Sequence, residues 1–181
     1  GEATVTSTLT FTSANWDTPQ TVTVTGADDD IIDGTESTAI SIAIDDANSN
    51  DSFDSLANQS VSVSTTDDDV AGFTIAETDG STSVAESGNT DTFTIALNAQ
   101  PDSDVVFSIS SADTGEATVT STLTFTASNW DTPQTVTVTG VDDDIIDGTQ
   151  ASSTTISIID AISDNNFDAV SDQTVSVATT D

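Results

Sequence analysis

The chain has 181 residues, 32 of them acidic, with no Lys, Arg or His, and a formal net charge of −32. With no basic side chain there is no side-chain salt bridge, so only cations from solution can neutralise the surface, and nucleic acid and anionic membrane are excluded as electrostatic partners. The absence of cysteine excludes disulfides and thiolate metal sites, and the absence of lysine excludes Lys–Asn cross-links.

Such acidity alone is compatible with disorder. Here, however, hydrophobic residues make up 34% of the chain, and they alternate along Thr/Val/Ile-rich runs while the acids cluster between those runs. At low ionic strength the charges repel one another; at ~0.15 M salt their reach falls to about 8 Å. Seawater-like or calcium-rich surroundings fit this chain. It carries no signal peptide and no long apolar run.

The chain repeats itself. Gly1-Glu2-Ala3-Thr4-Val5-Thr6 recurs from Gly115, a period of 114 residues, and the register holds to the end, where Thr65-Thr66-Asp67 matches Thr179-Thr180-Asp181. A period this long is a whole domain. Residues 1–67 therefore read as the C-terminal part of a truncated module, and residues 68–181 as a complete one.

In the first module, strands are expected at Thr4–Thr6, Leu9–Thr12, Thr21–Thr25, Ile40–Ile44 and Val61–Val63. That set leaves a sheet edge and a core face open. An upstream segment, a neighbouring chain or a strand donated in trans has to cover them. The link Thr66-Asp67-Asp68-Asp69-Val70-Ala71-Gly72 is short and acidic.

In the second module, Gly72–Ala76 should form a first strand that Ser83–Glu86 continues after the turn at Thr78-Asp79-Gly80-Ser81. Further strands are expected at Thr92–Leu97, Val105–Ile109, Ala117–Thr120, Leu123–Thr126, Thr135–Thr139, Thr154–Ile158 and Val175–Val177. Period-two alternation with no helical stripe predicts an all-β chain of tandem antiparallel β-sandwiches of about seven strands each. Val, Ile, Leu and Phe should face inward, with Thr and Ser outward.

Each module carries an acidic loop after a Thr/Val strand: Asp28-Asp29-Asp30-Ile31-Ile32-Asp33-Gly34-Thr35-Glu36, then Asp142-Asp143-Asp144-Ile145-Ile146-Asp147-Gly148-Thr149-Gln150. Four carboxylates within six residues repel one another unless a cation holds them. Oxygen-only ligands on a loop suit Ca²⁺, which takes about 6–8 oxygens. On an extended backbone the middle Asp of each triplet points away from its neighbours. The alternative is that these are solvated loop acids supplying turn chemistry. EF-hand spacing fails, because Ile32 and Asp33 fall where an oxygen ligand and a glycine belong.

These loops resemble the Calx-beta pattern of Asp-Asp, a further acid, Gly and Glu before an alternating strand. Ser83-Val84-Ala85-Glu86-Ser87-Gly88 is similar to that family's early Val-x-Glu segment, and Thr66–Asp69 to its closing Asp triplet. The resemblance implies immunoglobulin-like sandwiches, common in large bacterial surface proteins, that bind Ca²⁺ at one pole. It brings Glu86, the triplet Asp67, Asp68 and Asp69, and Asp181 as the repeat match of Asp67, into the ligand set beside Asp28, Asp29, Asp30, Asp33, Glu36, Asp142, Asp143, Asp144 and Asp147. Two departures stand out. Gln150 replaces the matching Glu36, which should weaken one ligand. The segment Ser111–Glu116 lacks the family's Gly-x-Asp-Tyr, so no ligand is carried over there.

Asn15-Trp16-Asp17-Thr18-Pro19 and Asn129-Trp130-Asp131-Thr132-Pro133 hold the two tryptophans. Each ring should plug a sandwich end; an exposed one could stack on sugar. Asp113-Thr114-Gly115 matches the aspartic-protease triplet but lies in a Ser/Asp-rich turn, and a protease needs two such carboxylates. Without His, Cys, Lys, Arg or Tyr most catalytic pairings are impossible, and the chain is expected not to be an enzyme. The resulting expectation is a calcium-rigidified structural module of an extracellular filament, sheath, biofilm or adhesin stalk at a bacterial cell surface. Ca²⁺ would stiffen the loops and the inter-module linker. Its partners would be neighbouring modules or identical chains. The alternative is a binding module that takes a surface glycan through the Trp loops.

Overall fold

A computed structural model describes residues 2–6 and 8–181. Gly1, which opens the first repeat match, lies outside the described residues. The chain divides into two compact units: residues 1–29 with 33–68, and residues 30–32 with 69–181. Among the described residues, no helix is long and apolar enough to cross a membrane.

The first unit holds β1 (Ala3–Val5), β2 (Val24–Gly26), β3 (Glu36–Ile42) and β4 (Gln59–Thr65). They pair as two antiparallel ribbons, β1 with β2 and β3 with β4. The second unit holds nine strands. These are β5 (Phe73–Glu77), β6 (Thr82–Ala85), β7 (Thr90–Leu97), β8 (Val105–Ser111), β9 (Ala117–Val119), β10 (Thr122–Phe125), β11 (Gln134–Gly140), β12 (Gln150–Ile158) and β13 (Gln173–Thr180).

The nine strands make two sheets, ordered β10-β8-β12-β13-β6 and β5-β7-β11-β9. Every pair is antiparallel except β13 with β6, which is parallel, with Thr180 opposite Ala85. The chain is thus all-β, as its alternation predicts. The inward positions of both sheets meet in one core that includes Phe93, Ile95, Phe107, Phe125, Val136, Val138, Ile156 and Phe167, all fully buried. At its centre Phe107 makes edge-to-face contacts with Phe73 (ring centroids 5.0 Å apart) and with Phe125 (5.7 Å), the geometry aromatic quadrupoles favour.

Several elements differ from expectation; the strand expected at Thr21–Thr25, for one, starts only at Val24. The first strand does not continue through the turn. Asp79 and Gly80 both take positive φ there, and β5 and β6 end up in different sheets. The strand after each acidic loop starts earlier than the alternation suggests, at Glu36 and Gln150. Leu9–Thr12 forms no strand. Its repeat match, β10, exists by pairing with β8, and among the described residues the first unit contains no counterpart of β8.

Candidate metal centre

Strand register builds one pole of the second unit. The parallel β6–β13 pair places Ala85 beside Thr180, and the Glu86 amide continues the ladder to the Thr180 carbonyl at 2.9 Å. Glu86 therefore arrives beside Asp181. From the other side, Gln150 pairs with Thr179, so the end of the acidic loop reaches the same place. Gly148 turns there with φ +80°, and its amide donates to Asp181 Oδ2 at 2.6 Å. As a result Glu86, Asp147 and Asp181 each present a carboxylate oxygen within 4.8 Å of the others.

Glu86 is the unusual member. Only 7% of it is exposed, and its Oε1 is buried with no hydrogen-bond partner. A buried acceptor left unmade is costly, and a buried carboxylate more so. Its carboxyl is raised from 4.5 to about 7, first by burial, then by the charges of Asp181 and Asp143, a hydrogen bond to Asp181 and the charge of Glu116.

Glu116 lies at the same pole, just before β9. It is also buried, with Oε2 unpartnered, and its carboxyl is raised by burial and by Asp147, Asp113, Asp143 and Asp181. Sequence reasoning passed over it. The only signal was the Gly-Glu dipeptide at both repeat positions.

The remaining expected ligands fall as follows. Asp143, the middle of its triplet, is half-buried and faces the two glutamates, while its Oδ1 accepts from the Ile145 amide at 2.6 Å. Asp142 and Asp144 are exposed and stand outside the three-carboxylate group. Gln150 is a strand residue whose Nε2 donates to the Asp147 carbonyl at 3.2 Å, a bond a carboxylate cannot make.

In the first unit the same lock recurs. Gly34, with φ +76°, donates its amide to Asp67 Oδ2 at 2.8 Å. Thr65 Oγ1 donates to the Glu2 carbonyl as Thr179 Oγ1 does to that of Glu116. Asp28, Asp29, Asp30, Asp33, Glu36 and Asp68 are exposed, and Asp67 and Asp69 are half-buried. Trp130 packs partly buried against the core, while Trp16 is exposed. Asp113 Oδ1 accepts from the Gly115 amide at 3.0 Å, a turn-forming contact.

One consequence is a pH dependence of the metal-free fold. A carboxyl raised from 4.5 to about 7 favours its protonated form in the folded state. Its stabilisation is complete below the unfolded value and is lost as pH rises through about 7. Between pH 5 and 8 the metal-free second unit should lose stability. Glu86→Gln should flatten that loss, as measured by denaturant midpoints of the two proteins across the range. Equal pH slopes would show that Glu86 does not titrate in this way.

These features define a β-sandwich with a buried, under-partnered carboxylate at one pole. No family model matches the sequence, and no curated protein matches it. Among solved structures, domains 4 and 5 of the S-layer protein SbsC are 22% identical, over 68% of this chain and 59% of that one, with a TM-score of 0.42. The apo-form Calx CBD1 domain is 12% identical over 60% of this chain and 98% of that one, at 0.40. The E. coli chaperone DraB is 8% identical over 61% of this chain and 56% of that one, at 0.44. The chain thus spans less than two thirds of DraB and of the SbsC fragment. These likenesses concern the arrangement of strands and assign no activity.

Proposed function

We propose that the chain is a non-catalytic, calcium-binding structural module of an extracellular array at a bacterial cell surface, such as a filament, sheath or adhesin stalk. The observation that carries this reading is Glu86 Oε1, buried and unpartnered within reach of the Asp147 and Asp181 carboxylates. Two acids facing a buried third are a poor arrangement for protons alone and a good one for a hard divalent cation. Glu86, Asp147 and Asp181 would hold the ion, with Asp143 and Glu116 adding negative potential around it.

Bound there, Ca²⁺ would neutralise the repulsion among these acids and tie together the end of β6, the acidic loop and the end of β13. In the first unit Asp67 occupies the place of Asp181, immediately before the linker residues Asp68–Gly72. An ion held at that residue would shorten the freely moving part of the linker. Neighbouring modules of the same kind are the partners this role requires.

Equilibrium dialysis of the intact chain against Ca²⁺ in excess Mg²⁺ tests the reading. The chain should retain Ca²⁺, and Glu86→Gln should retain at least one ion fewer per chain. An unchanged ion count in Glu86→Gln would remove this site.

A further inference from the structure

The first unit leaves exposed several apolar residues whose repeat matches form the core of the second, and the repeat shows what covers them there. Phe11 is 54% exposed, whereas its repeat match Phe125 is fully buried against Phe107 of β8. Phe53 is 53% exposed and Phe167 fully buried; Val61 is 53% exposed and Val175 3%. The three residues are the same in both repeats; Leu9–Thr12 recurs unchanged as Leu123–Thr126, whereas around Phe53 only Phe53-Asp54, Gln59 and Val61 recur, as Phe167-Asp168, Gln173 and Val175. The difference is that the second unit contains the segment Phe73–Ser111, which forms β5 to β8.

A glycine supplies an independent sign. Gly140 sits so close to β6 that a Cβ there would lie 2.0 Å from the Ala85 carbonyl oxygen. At its repeat match, Gly26, the contact among the described residues is the Thr65 methyl at 3.6 Å. Gly26 is therefore spared a side chain at the one point where a β6-type strand would approach.

The chain's own Phe73–Ser111 cannot take this place. It is a single segment already packed in the second unit. In that unit Gln173 Nε2 donates to the Phe73 carbonyl at 3.0 Å, so the segment begins at the start of β13, the end far from Asp181. On the first unit the equivalent start lies beside Gln59, about 26 Å of strand away from Asp67. The link from Asp67 to Phe73 spans at most about 20 Å. Exchange between two copies would fill one face by opening another.

We propose that the open face of the first unit is an acceptor for one polypeptide segment of the Phe73–Ser111 sequence class, supplied by a further repeat. Docking adds β5- to β8-type strands, seats a Phe107-type ring on Phe11, and brings a β6-type backbone onto Gly26.

The test uses the full chain carrying Trp130→Phe, so that Trp16, now 72% exposed, is the only reporter, and a synthetic peptide of residues 69–114. The peptide should bind one per chain and move Trp16 emission to shorter wavelength. In the same background, Gly26→Ala should weaken binding about 100-fold while leaving the peptide-free emission unchanged. No shift, or equal binding by Gly26→Ala, would overturn the proposal. So would concentration-dependent dimers that bury Trp16 without peptide, which would make a second copy the occupant.

Discussion

Gly140→Ala should lower the melting midpoint of the second unit by roughly 10–20 °C, whereas Gly26→Ala should leave the first unit unchanged or slightly more stable. The two glycines occupy the same repeat position, so their intrinsic strand preferences are equal. What differs is space. At Gly140 the added methyl would meet the Ala85 oxygen at 2.0 Å, its carbon at 2.7 Å and its nitrogen at 3.3 Å. These are backbone atoms, and no rotamer change can move them. Relief requires β6 to shift away from β11, against the β6–β13 ladder and the Glu86 amide bond to Thr180. Overpacking of this kind costs about 3 kcal/mol. At Gly26 a methyl would have an ordinary contact, and removing glycine from a strand gains up to about 1 kcal/mol. Thermal melts followed through Trp130 in a Trp16→Phe background, and the converse for the first unit, measure each unit separately. Equal small effects at both positions would mean that β6 does not approach β11 as described.

Calcium should raise the midpoint of the second unit by roughly 10 °C, and magnesium should do much less. An ion that binds only the folded state adds about 2.7 kcal/mol at 100 times its dissociation constant, and a domain of this size gains about 4 °C for each kcal/mol. Mg²⁺ is the informative control, because it demands near-octahedral geometry and sheds water reluctantly. Glu86→Gln should abolish the calcium shift. At pH 8 it should also make the metal-free protein more stable than the parent, since it replaces a buried charge with a neutral group of the same shape. Both signs together identify Glu86 as a ligand position held at a standing penalty. An equal rise with Mg²⁺ would mean that divalent cations act only by screening the surface.

The strands were legible because their signal is local. Thr92–Leu97 and Thr135–Thr139 alternate strictly, and they became β7 and β11. Leu9–Thr12 alternates as well but forms no strand, because a strand also needs a neighbour, and pairing partners are not written in the segment itself. The same limit applies to the candidate metal centre. Acidic loops and an isolated Glu86 are visible as residues, but their meeting depends on the register of β6, β12 and β13, three segments dispersed over about a hundred residues. Glu116 was missed for a further reason: its environment, not its spacing, makes it unusual. Nothing in Gly115-Glu116-Ala117 shows that β9 and β11 will bury that carboxyl beside Asp143 and Asp147.

The parallel pairing of β6 with β13 has a mechanical consequence. The two strands run in the same direction, one near the entry of the unit and the other at its exit. Tension on the two ends of the unit would pull β6 and β13 lengthwise past each other. The bonds of the Val177–Thr180 ladder, with the Glu86 amide bond at its end, would then share the load and have to fail together, whereas an antiparallel ribbon pulled open from one end unzips bond by bond. Wherever its two ends are pulled apart, the parallel pairing would load this unit in shear, with the carboxylate group at the end of the pair under load.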